Sequence, residues 1–116
     1  MEELDKVYTG NENKEIELEF EGRKILIRVR ELGWSEKNQI LSQCFTYQTD
    51  GSVSFNFDRY FKLAISKIIV QAPWGETTNI FLNRIKPAFG ALLEKLVPKA
   101  FEEVKANDFF AKGQNG

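Results

Sequence analysis

Three features of the 116-residue sequence predict a single-domain α+β fold. Residues 15–30 hold two strictly alternating runs joined by Glu21-Gly22, and residues 45–57 hold a shorter pair around Asp50-Gly51. The rest carries apolar residues at helical spacing, punctuated by Pro73, Pro87 and Pro98. Together these predict an N-terminal β-hairpin and a second short hairpin, packed against about four helices. The predicted layout is a flexible N-terminal arm over 1–13, one domain over 14–111 and a flexible tail over 112–116.

The first hairpin is the most specific of these elements. With Glu21-Gly22 as a two-residue turn, Leu18 faces Ile25 and Ile16 faces Ile27 on an apolar side. On the other side Glu19 meets Lys24 and Glu15 meets Arg28, each pair contributing a few tenths of a kcal/mol. After Gly33-Trp34 the period changes. Ser35 is a candidate N-cap for a helix over 36–45, with Ile40, Leu41, Cys44 and Phe45 on one face and Asn38 where a capping box would place Glu or Gln. In the second hairpin, Phe55 and Phe57 share a face with Val53, as residues of a core face would.

Asp58 is the predicted cap of a long helix over 59–72. Tyr60, Phe61, Leu63, Ala64, Ile65, Ile68, Ile69, Val70 and Ala72 cover most of its circumference, so it needs neighbours on several sides. It is either the central core helix or partly an oligomer interface. Pro73 ends it. Thr78 caps a short helix holding Ile80, Phe81, Leu82 and Ile85, and Pro87 separates this from a turn set containing Phe89, Leu92, Leu93 and Leu96. Pro98 is expected to open a last helix with Phe101 and Val104 inward.

Composition narrows function by exclusion. With 42% hydrophobic residues and a net charge of −1, the chain lacks the signature of disorder. It has no His, and Cys44 is its one cysteine. No disulfide framework, Cys/His zinc site or Ser-His-Asp arrangement can be assembled from that inventory. Asp50, Asp58, Glu76 and Glu94 are scattered, and a turn and a cap explain the first two. The expectation is a protein that is not an enzyme and needs no cofactor or metal. The longest apolar stretch is broken by Lys67 and Gln71, short of the roughly 20 residues of a spanning helix. Met1-Glu2-Glu3-Leu4-Asp5 is acidic where a signal peptide would be basic, so a cytoplasmic location is expected.

Charge is uneven along the chain. Residues 1–22 carry eight acids and two bases (−6), while residues 59–99 carry seven bases and two acids (+5). Arg59, Lys62, Lys67, Arg84 and Lys86 form the candidate nucleic-acid set, beside a Ser52–Phe57 strand able to stack on bases. The pI near 5.6 and the shared face of Phe55 and Phe57 favour core packing over that use. For protein contact the candidates are Trp34, Tyr60, Trp74, Phe109 and Phe110. The tryptophans serve equally as lids on the core, while for Phe109-Phe110 docking back on the body is slightly favoured over contact.

One resemblance spans most of the chain, from about Ile16 to Pro98. It is carried by the acidic-then-basic hairpin running into Val29-Arg30-Glu31-Leu32-Gly33-Trp34-Ser35, and by the Asp50-Gly51 turn. Phe57-Asp58-Arg59-Tyr60 then opens the apolar helix that ends in Ala72-Pro73-Trp74-Gly75, before Phe89-Gly90-Ala91-Leu92-Leu93. The pattern resembles the small tail assembly chaperones of long-tailed phages and related proviruses. That resemblance implies a non-enzymatic protein that binds the long, largely helical tape-measure protein and keeps it soluble while the tail tube polymerises. It also implies tolerance of self-association, so a homo-oligomer is expected, with no membrane partner.

Overall fold

The computed structural model describes residues 13–101, which form a small α+β domain. The elements in order are β1 (Lys14–Phe20), β2 (Arg23–Val29), α1 (Trp34–Ser42), β3 (Phe45–Tyr47), β4 (Val53–Phe55), α2 (Phe57–Ile68), β5 (Ile69–Gln71), α3 (Asn79–Arg84) and α4 (Pro87–Glu94). One sheet has the order β1-β2-β5, and β3-β4 form a separate pair.

The β1–β2 register is the one the alternation dictates: Ile16 opposite Ile27, Leu18 opposite Ile25, Glu15 opposite Arg28 and Glu19 opposite Lys24. Glu21 (φ 51°) and Gly22 (φ 77°) both adopt positive φ, as the two-residue turn that matches strand twist requires. The opposed charges face one another without closing into ion pairs; Glu21 instead bonds Lys86 of the α3–α4 junction at 2.9 Å. Complementarity across this hairpin is therefore a matter of register and long-range attraction.

Helix α1 starts earlier than Ser35 would place it. Gly33 is the cap, and Glu36 three residues on accepts its N–H at 3.1 Å. Glu36 also receives a bidentate pair from Arg30 at 2.7 and 2.9 Å, which ties the end of β2 to the first turn of the helix. The Arg30 hydrogen bonds, with help from the Gly33 N–H, hold the Glu36 carboxyl down to about 2. Because the folded value lies below the ordinary one, the stabilisation is complete above about 4.5 and disappears as pH falls toward about 2. Both side chains are roughly a third exposed, so solvent reduces the pair to about 0.5–1 kcal/mol. Glu36→Gln is expected to remove this acid-limb component. Urea midpoints measured from pH 7 to pH 2 check it, and an unchanged slope would refute it.

Helix α2 is the centre of the molecule. Ile65 joins Leu18, Ile27, Ile69, Phe89 and Leu93 in one buried cluster, under the inner face of the larger sheet. Tyr60, Ala64 and Ile68 join Ile40 and Cys44 in a second cluster against α1. An apolar surface covering most of the helix is thus buried on two sides by one chain. The cap is Asn56 rather than Asp58: its side chain accepts the Arg59 N–H at 3.0 Å, while Asp58 pairs with Lys62.

The helix also ends sooner than residue 72. Ile69–Gln71 become β5, paired with β2 through Arg28–Gln71 and Val29–Ile69. The β-branched run Ile68-Ile69-Val70 suits either state, and an open edge on β2 decides for strand. Thr78 caps α3 as expected, with Phe81 donating at 3.2 Å, and Ile80 is exposed. Pro87 sits in the first turn of α4, where its missing N–H costs nothing. Pro98–Phe101 are not helical, and Phe101 is half-exposed rather than inward. Val104 lies outside the described residues.

Candidate interaction surface

The second hairpin is short and held by its loop chemistry. Gly51 takes φ 90° and donates to the Gln48 carbonyl at 3.0 Å, while Gln48 donates to Ser52 at 2.8 Å. Asp50 accepts from the Ser52 hydroxyl at 2.7 Å and its backbone N–H at 2.9 Å. These bonds, the hydroxyl one foremost, hold the Asp50 carboxyl below its ordinary range. Asp50 is the one charged residue between Phe45 and Phe57, and it is engaged within the turn. At the base, Asn56 donates to the Cys44 carbonyl at 2.8 Å, fixing the hairpin to the end of α1.

Pairing of Phe45 with Phe55 and Tyr47 with Val53 places all four on one face. Phe55 is the hub of a group of rings. Phe45 lies 5.1 Å away edge-on, Phe57 at 4.7 Å and Phe101 at 5.1 Å, with Tyr60 beneath at 5.9 Å. The expected core face is instead open. Tyr47 is 76% exposed, and Val53, Phe57 and Phe101 are each about half-exposed. A three-residue strand pair cannot bury its own face, and among the described residues nothing is packed over its tip. The result is an uncharged aromatic shelf whose inner ring, Tyr60, is anchored in the core.

The protein-contact candidates are dispersed. Tyr60 is buried, and its hydroxyl donates to the Pro98 carbonyl at 2.6 Å, so it supports the shelf from below rather than offering a contact. Burial pushes its phenol upward. Trp74 stacks on Phe81 at 4.7 Å, meets Phe89 edge-on and donates from Nε1 to Thr77 at 2.8 Å. It is a lid on the larger core. Trp34 is 81% exposed in the first turn of α1 and makes no ring contact with the shelf. Phe109 and Phe110 lie outside the described residues. Tyr47, Val53 and Phe101 were not predicted as contact residues. The signal that points to them is the charge-free run on both sides of Asp50-Gly51.

Two of the five basic candidates are ion-paired. Lys62 bonds Asp58 and Lys86 bonds Glu21. Lys62 and Lys86 also line a cleft of about 280 Å³ between α2 and α4, shared with Asp58 and Glu94. Lys67 acts electrostatically on Glu36, at the other end of α2. Arg59 and Arg84 are exposed at the start of α2 and the end of α3. Arg59 and Lys62 share a second cleft, so Lys62 links Arg59 to Lys86, while Lys67 stands apart beside Glu36.

Cys44 is buried, donates to the Ile40 carbonyl at 3.1 Å, and has its thiol pushed up by desolvation, as suits a packing residue. Among the described residues no three acids, cysteines or histidines gather in a metal-sized group. No helix among them is long and apolar enough to cross a membrane. Comparison with protein-family models, with curated proteins and with solved structures returns no match.

Proposed function

We propose that this chain is a non-enzymatic protein-binding factor that acts as an assembly chaperone. The kind envisaged is that of long-tailed phages and proviruses, which keeps the tape-measure protein soluble in the host cytoplasm. The observation that carries the proposal is the open aromatic shelf of Tyr47, Val53, Phe55, Phe57 and Phe101. Interface centres are depleted of charge and enriched in aromatic rings, and this shelf has both properties. An amphipathic helix can lay apolar side chains spaced at i, i+3 and i+4 across such a surface, which suits a long helical partner. Phe57 and Phe101 sit edge-on against Phe55, which rests on buried Tyr60, so these rings are already ordered and lose little side-chain entropy on binding.

The same uncharged surface presents no repulsion to a second copy, which supports a homo-oligomer in the absence of the partner. The paired state of Lys62 and Lys86 gives a nucleic-acid role no comparable support. Co-expression with the tape-measure protein encoded downstream is expected to move that protein from the pellet to a soluble complex. Equal aggregation with and without this chain would overturn the proposal.

A further inference from the structure

The outer edge of β1 carries a second, independent surface. Arg30 donates to the Ile68 carbonyl at 2.9 Å, and Arg28 pairs with Gln71, so the even-numbered positions of β2 turn their main chain toward β5. Its odd-numbered positions, Ile25 and Ile27 among them, therefore exchange bonds with β1, opposite Leu18 and Ile16. By the same alternation, the main-chain groups of Glu15, Glu17 and Glu19 point away from β2. Among the described residues no strand lies on that side.

We propose that this edge is a strand-addition site for an extended peptide segment that alternates basic and apolar residues. Side chains opposite Glu15, Glu17 and Glu19 on an added strand share their face, and opposite charges there are favourable. Those in between fall beside half-buried Ile16 and Phe20, extending the apolar face. The fold already contains one strand of this chemistry. β2 sets Lys24 and Arg28 against Glu19 and Glu15, and Ile25 and Ile27 against Leu18 and Ile16. A second copy of β1 does not qualify. Antiparallel pairing centred on Glu17 puts Glu15 against Glu19 and Glu17 against itself, a row of like charges that guards the edge from self-association.

The test uses the full chain and a capped seven-residue peptide alternating lysine and valine, followed by amide exchange and chemical-shift titration. In the free chain the amides of Glu15, Glu17 and Glu19 should exchange fast, and those of Ile16 and Leu18 slowly. Added peptide should slow the three glutamate amides about tenfold or more. N-methylation of the lysine amides, which removes the donors facing the edge, should weaken binding about tenfold, equivalent to about 1.4 kcal/mol. A glutamate–valine peptide should not bind. Glu17→Lys, opposite Leu26 and so without a cation across β2, should weaken the lysine peptide at least about threefold. Glutamate amides already protected in the free chain, or equal binding by the N-methylated peptide, would overturn the proposal.

Discussion

Leu93→Ala is expected to destabilise the domain by about 3–4 kcal/mol, the cost of removing a fully buried leucine where the surroundings cannot collapse. Leu93 has 0% exposure on α4, in the cluster with Leu18 and Ile27 of the sheet, Ile65 of α2 and Ile69 of β5. Its cluster draws residues from four other elements, each held by other contacts, so the vacated volume should stay largely open. At roughly 4–8 °C per kcal/mol for a domain of this size, Tm should fall by about 12–30 °C. Leu93→Met, which conserves volume, should cost less than about 1.5 kcal/mol. The half-buried Leu92, one residue away, provides the control: its alanine variant should lose about 1 kcal/mol. Urea unfolding of the three variants checks this. A loss under about 1 kcal/mol for Leu93→Ala would mean that α4 does not close the core.

How much of this was legible in the sequence differs sharply between elements. The first hairpin was readable to the residue because two constraints agree. Period-2 alternation sets which side chains share a face, and a two-residue turn fixes the register. Strand β5 was not readable. Ile68-Ile69-Val70 continues the apolar pattern of α2, and only the free edge of β2, some forty positions earlier in the chain, converts it to strand. The start of α1 was misplaced because serine is the better intrinsic cap. The Arg30–Glu36 pair and the Gly33 N–H decide the position through a contact six residues apart in sequence.

The site followed the same division. Alternation placed Val53 and Phe55 on one face, and that face exists. Whether anything covers it depends on the length and position of the whole hairpin, which no local pattern encodes. Tyr60 shows the converse, since an aromatic in a helix pattern gave no sign that Pro98 would receive its hydroxyl. Cys44, which the helical spacing places on one face with Ile40, is buried there beside it, and a lone thiol without His or a neighbouring cysteine has little chemistry open to it.

The double substitution Tyr47→Ser and Phe57→Ser is expected to separate binding from stability. Both rings are more than half exposed, and Phe57 meets Phe55 edge-on. Little core area is lost, so stability should change by less than about 1 kcal/mol. Each ring, if it fills a pocket on a helical partner, contributes about 2 kcal/mol or more to the complex. Together that is a loss of at least about a thousandfold in affinity. In the co-expression assay the tape-measure protein should return to the pellet, while the variant itself stays folded and soluble. Any self-association of the free chain should weaken in parallel, since the same uncharged face would carry both contacts. Trp34→Ser tests the rival location. Trp34 is 81% exposed but isolated from the shelf, without the neighbouring rings that exclude water around an anchor. Its substitution should leave the soluble complex intact. A complex that survives the double substitution and is lost with Trp34→Ser would move the contact to the start of α1.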